Sequence, residues 1–104
     1  MDDLTLTRPG ATLAYDISGD GPLVVQAHGL TSSRDAELEL LDVRALADDG
    51  HRLVRYDAAG HGRSPGSDDP ERYRWTVLAD DLIALLDEVG AQQPVDAIGV
   101  SMGT

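Results

Sequence analysis

Apolar and polar positions change rhythm several times along the 104 residues, and each change marks an element. Leu4-Thr5-Leu6-Thr7 alternates with period two, which predicts a short half-buried strand ended by Pro9-Gly10. Thr12 to Ser18 alternates again with Leu13, Tyr15 and Ile17 on one side, so the Pro-Gly turn predicts a hairpin. Gly19-Asp20-Gly21-Pro22 is a second turn, and Leu23 to Ala27 then runs almost unbroken apolar, as a strand covered on both faces does. Thr31, Ser32 and Ser33 can cap a helix, and Leu38, Leu41, Ala45 and Leu46 follow at helical spacing. Asp35, Glu37 and Glu39 lie near the positive end of that helix, and Gly50 closes it. Arg52 to Tyr56 reads as a strand and Pro65 to Pro70 as a surface loop. A second amphipathic helix spans about Thr76 to Val89, with Leu78, Leu82, Leu85, Leu86 and Val89 inward and Gly90 as its stop. Asp80 and Asp81 on this helix are expected to face water. Pro94 opens the last strand.

An opening hairpin followed by strands alternating with helices predicts an α/β fold with a mostly parallel sheet. The length suits one small domain, and there is no internal repeat or linker to divide it. Composition narrows the function. The formal charge of −11 comes from 15 Asp and 4 Glu against 8 Arg and no Lys, which disfavours nucleic acid and anionic membranes as partners. The absence of Cys excludes disulfides, thiolate metal sites and a cysteine nucleophile. Met1-Asp2-Asp3-Leu4 does not open a secretory signal, and no stretch reaches the ~20 apolar residues of a membrane span, so a cytoplasmic location is expected.

Candidate chemistry clusters where strands end. His28-Gly29-Leu30 follows the third predicted strand, Asp57-x-x-Gly60-x-Gly62-x-Ser64 the fourth, and Gly99-x-Ser101-x-Gly103 the fifth. Ligands of open α/β sheets bind outside the carboxyl ends of the strands, so three loops there can share one crevice. G-x-S-x-G after a strand is the pattern of a nucleophile elbow, where Gly99 and Gly103 spare the tight turn two side chains. Asp68-Asp69 lacks the spacing of a calcium loop, and neither a metal nor a cofactor is expected.

These motifs, in this order, resemble the α/β-hydrolase superfamily over nearly the whole chain. The resemblance implies that Ser101 is the nucleophile attacking an acyl carbonyl. It implies further that the backbone N–H groups of Leu30 and Met102 form the oxyanion hole. His28 and Gly29 would organise their loop, with His28 not acting as the base, and Asp57 would brace the loops around it. His51 and His61 are expected at an exposed strand start and loop. The substrate would be a small molecule with an ester, amide or related acyl bond. A serine at the elbow argues against haloalkane dehalogenases, which place an aspartate there.

The same resemblance orders the triad as serine, acid, histidine, yet every Asp and His here precedes Ser101. An order of His, Asp, Ser belongs to a two-barrel all-β fold that this pattern does not supply. The expectation is therefore a single domain's N-terminal portion, residues 1–104, holding the first five strands and two helices and stopping at the elbow. The cap and C-terminal half, with the catalytic acid and histidine, would be absent, and the isolated chain inactive, with an unpaired apolar edge strand that favours aggregation. The alternatives are a non-catalytic truncated product or binding fragment, and an anion-binding α/β domain, for which no phosphate-loop pattern is present. Oligomeric state and substrate identity are not legible.

Overall fold

A computed structural model describes residues 3–29, 32–39, 42–91 and 95–99. The opening hairpin forms as its alternation predicts: β1 (Leu4–Arg8) and β2 (Ala11–Ser18) pair antiparallel, Leu6 against Leu13, around Pro9-Gly10. Three further strands, β3 (Leu23–Ala27), β4 (Arg52–Tyr56) and β5 (Asp96–Gly99), complete one five-stranded sheet in the order β1-β2-β4-β3-β5. β2 pairs antiparallel with β4, while β3 pairs parallel with both β4 and β5. The sheet is mixed, and the fold is that of an α/β protein.

Strand alternation gives the sheet two chemically different faces. Leu13, Tyr15, Val25, Ala27, Val54 and Tyr56 form the main core with Leu85 and Val89. Those two residues come from α2 (Trp75–Glu88) and its C-terminal boundary, within one residue of the span its apolar spacing predicts. The helix ends at Val89, and Gly90 takes the left-handed φ of 78° that a closing residue of this kind needs. The second face carries a smaller cluster, Val24, Leu53 and Val43, extended by Leu46, Ala47 and Ile98.

Two expectations are corrected here. The first predicted helix is instead a 3₁₀ turn (Ala36–Glu39) and a separate single turn, α1 (Ala45–Asp48). Ser33 Oγ does act as a cap, accepting the Ala36 N–H at 3.1 Å. The continuous helix is lost because polar side chains bond elsewhere. Glu37 turns inward to the Gly29 N–H, and Asp42 accepts both the Arg44 N–H and its guanidinium at 2.7–3.0 Å. Leu40, Leu41 and Thr31 lie outside the described residues.

The second correction concerns Asp81. Asp80 is exposed, but Asp81 is buried, gripped by both terminal nitrogens of Arg72 (2.9 and 3.0 Å) and by Arg8 Nε at 3.1 Å. Position 81 is three residues after Leu78 and four before Leu85, squarely on the inward stripe. The identity of the residue argued for water; its phase on the helix placed it inside. Arg72 comes from a 3₁₀ turn (Pro70–Tyr73) that begins where the expected loop ends.

Candidate active site

The three motif-bearing loops leave neighbouring parallel strands at the same end. The register that pairs Ala27 with Gly99 sets the first residue of the G-x-S-x-G pattern beside the residue preceding His28. Ser101, Met102, Gly103 and Leu30, the expected nucleophile, elbow glycine and oxyanion donors, lie outside the described residues; His28, Gly29, Asp57 and Gly99 lie within them.

His28 is 2% exposed, and both its ring nitrogens are engaged. Nε2 accepts the Ala58 N–H at 2.9 Å, and Nδ1 lies 2.8 Å from the Gly29 carbonyl, to which it can only donate. The network therefore assigns the neutral tautomer with the proton on Nδ1. This imidazole ties the loop after β3 to the loop after β4, and neither nitrogen is left to take a proton from a nucleophile. His61 is half-buried, its ring 5.1 Å from that of His28 and its Nδ1 3.0 Å from the Ala59 carbonyl. His51, also half-buried, has its Nδ1 enclosed without a partner. Neither is as exposed as expected: the His61 ring bonds within its own turn, and His51, directly before β4, is partly enclosed.

Gly29 is held from both sides. Its N–H donates to Glu37 Oε2 at 2.7 Å, and its carbonyl accepts the Ser32 N–H at 3.1 Å in addition to His28 Nδ1.

Asp57, 2% exposed, is the hub of the loop after β4. Oδ1 accepts the Arg34 N–H and Oδ2 the Arg63 N–H, each at 3.0 Å, while Arg34 Nε lies 3.3 Å from Oδ2. Gly62 makes this closure possible. With φ at 49°, it sits where an added Cβ would come within 2.4–2.6 Å of the Asp57 carboxyl atoms. Ser64 finishes the turn: its Oγ accepts the Ala14 N–H at 2.8 Å and donates to the Asp57 carbonyl at 2.6 Å.

Behind Asp57 lies an ionic cluster that the strand patterns did not announce. The Arg34 guanidinium, 1% exposed, reaches Asp16 at 2.9 Å and Asp3 at 2.7 Å. Arg55 reaches Asp16 at 3.0 Å, and Arg63 reaches Asp3 at 2.9 Å. Burial alone would raise the Asp3 carboxyl, but the hydrogen bonds and charges of Arg63 and Arg34 outweigh it and hold the group below the usual carboxylate range. One signal was available: Asp16 and Arg55 are directly opposite in the β2–β4 register, an opposite-charge cross-strand pair. Arg34 and Glu37 gave none, since both fall in a segment whose pattern points to a helix.

Among the described residues no group of three or more His, Asp or Glu is arranged to hold a metal ion, and no helix is long and apolar enough to cross a membrane.

Comparison with known proteins agrees with this architecture. The α/β hydrolase fold family matches over residues 22–104. The bifunctional epoxide hydrolase 2 of Sus scrofa is 32% identical over 90 residues, which are 86% of this chain and 16% of that protein. Among solved structures, an epoxide hydrolase mutant of Vigna radiata superposes with a TM-score of 0.86 at 26% identity, covering 98% of this chain and 31% of its own. A thioesterase domain from the curacin biosynthetic pathway gives 0.84 at 28% identity, covering 99% and 38%. The chain thus spans between about a sixth and two fifths of the proteins it matches here. It belongs to the α/β-hydrolase family, and what it contains is the N-terminal portion of that fold.

Proposed function

We propose that the full-length protein is a serine hydrolase that cleaves an ester, amide or related acyl bond through an acyl-enzyme on Ser101. The observation that carries this reading is the Ala27–Gly99 register, which sets the start of the G-x-S-x-G corner against the His28-Gly29 turn. In this reading Ser101 Oγ attacks the acyl carbonyl and loses its proton to a base. The N–H groups of Leu30 and Met102 receive the oxyanion, the leaving group departs protonated, and water then cleaves the new ester. Both His28 nitrogens are committed, so His28 does not serve as the base; in this reading the base and its orienting acid follow Ser101, in the chain order of the family.

The side chain at 101 separates this reaction from that named for the epoxide hydrolase relatives. A serine oxygen that opens an epoxide forms a carbon–oxygen ether, which water does not cleave under mild conditions, so turnover would stop after one event. The same oxygen on an acyl carbon forms an ester, which water does cleave. The thioesterase neighbour is named for acyl chemistry of that kind.

A fluorophosphonate probe should label Ser101 in the full-length protein. Ser101→Ala should abolish labelling and lower ester hydrolysis by about 10⁴-fold or more. Ester hydrolysis close to that of the unmutated protein in Ser101→Ala would refute the nucleophile assignment.

A further inference from the structure

Glu37 is a buried ionisable group that the proposed chemistry leaves unused. It is 6% exposed, no Arg or His among the described residues comes within ion-pair distance of it, and its Oε1 is enclosed without a hydrogen-bond partner. An unpaired carboxyl group with half its acceptor capacity unmet is costly to bury, and an apolar side chain would fill the space at lower cost. Its single described bond, from the Gly29 N–H at 2.7 Å, falls on the peptide chain of the candidate oxyanion loop.

Gly29 is the freest kind of backbone joint, with two soft torsions between two rigid peptide planes. Glu37 fixes the plane before it through the N–H. Ser32 N–H and His28 Nδ1 fix the plane after it through the carbonyl. That second plane is the Gly29–Leu30 peptide, whose N–H is the donor assigned above to the oxyanion. A donor stabilises a developing charge fully only if it is aimed before the charge appears.

We propose that Glu37 is a positioning residue for the oxyanion hole: by holding the Gly29 N–H it locks the glycine joint and presets the neighbouring peptide for the transition state. This rests on the serine-hydrolase reading. Glu37 touches no reacting atom, so its removal acts on the chemical step and leaves ground-state binding in place.

The test uses the full-length protein with a p-nitrophenyl ester and a fluorophosphonate. Glu37→Leu, similar in bulk but without an acceptor, should lower kcat and the Ser101 labelling rate by about 10- to 100-fold, with KM within about twofold. Glu37→Gln keeps a carbonyl for the Gly29 N–H and should restore both to within about fivefold of the unmutated protein. Amide hydrogen exchange should show a protected Gly29 N–H in the unmutated protein and in Glu37→Gln. Should Glu37→Leu fail to fold, Glu37→Met and that protection decide the matter. An unprotected Gly29 N–H, a Leu or Met variant with unchanged kcat, or a Gln variant as impaired as Leu each overturns the proposal. Failure of the unmutated protein to label at Ser101 would instead overturn the nucleophile reading, and the positioning role with it. Labelling that is indifferent to Glu37 removes the positioning role alone.

Discussion

The two faces of the sheet solve the problem of burial by opposite means. Against α2, the face of Leu13, Tyr15, Val25, Val54 and Tyr56 is closed by Leu85 and Val89, an apolar contact that depends on area and fit. The other face has its apolar cluster around Val24, Leu53 and Val43, and beside it Asp16, Arg34, Arg55 and Asp57 are joined by ion pairs. An apolar contact tolerates small errors of geometry. A buried ion cluster does not, because one missing partner leaves another charge stranded in low dielectric. The tolerant face backs the helix; the exacting face backs the loops that carry the candidate chemistry.

The sharpest way to break this comparison is to remove one member of each. Arg34→Met removes the guanidinium paired with the buried Asp57 and one of the two arginines on Asp16, and should lower stability by about 3–5 kcal/mol, against about 2–4 kcal/mol for Leu85→Ala. Urea unfolding measures both. An Arg34→Met loss well below that of Leu85→Ala would show that the ionic face contributes little beyond its packing.

The next effect belongs to the apolar face and appears only in alkali. Burial, assisted by the nearby Asp81 charge, pushes the Tyr56 hydroxyl up to about 12 from the ordinary 10.0. With the folded value raised, stability is intact below pH 10 and is lost as the pH rises from about 10 to about 12, by about 2–3 kcal/mol. Tyr56→Phe should flatten that stretch of the stability curve. An unchanged alkaline decline in Tyr56→Phe would place its origin elsewhere.

Smallest is the surface counterpart of the buried ion pairs. Arg44 side-chain and backbone hydrogen bonds lower the exposed Asp42 carboxyl from 3.8 to about 2. Its favourable contribution is present above the ordinary value and fades as the pH falls through about 2. An NMR titration should find that midpoint and see it return to the ordinary carboxylate range in Arg44→Ala, with no measurable change in melting temperature at neutral pH. A clear destabilisation there would erase the contrast between exposed and buried pairs.

The same contrast explains what was legible beforehand. β3 and β4 have the bounds their apolar runs predict, and α2 differs by a single residue, because burial in an apolar core follows periodicity. The segment from Ser33 to Gly50 was misread because Arg34, Glu37 and Asp42 spend their side chains on tertiary or local bonds that no periodic pattern encodes. Asp81 shows the reverse error, a charge trusted over its helical phase. At the site, the motif spacing brought His28, Gly29, Asp57 and Gly99 to neighbouring strand ends. The residues that hold them there, Arg34 and Glu37, became visible only with the sheet assembled.

Ser64 gives this arrangement a consequence in time. Its hydroxyl is spliced between the Ala14 N–H and the Asp57 carbonyl, tying Ser64 to a point fifty residues earlier in the chain. Such a bridge closes only after the hairpin, β4 and the Gly62 turn are in place, so it belongs to the last stage of folding, beyond the rate-limiting barrier. Ser64→Ala should therefore shorten the lifetime of the native state while leaving the rate of assembly almost untouched. In a chevron plot the unfolding arm would carry nearly all of the change.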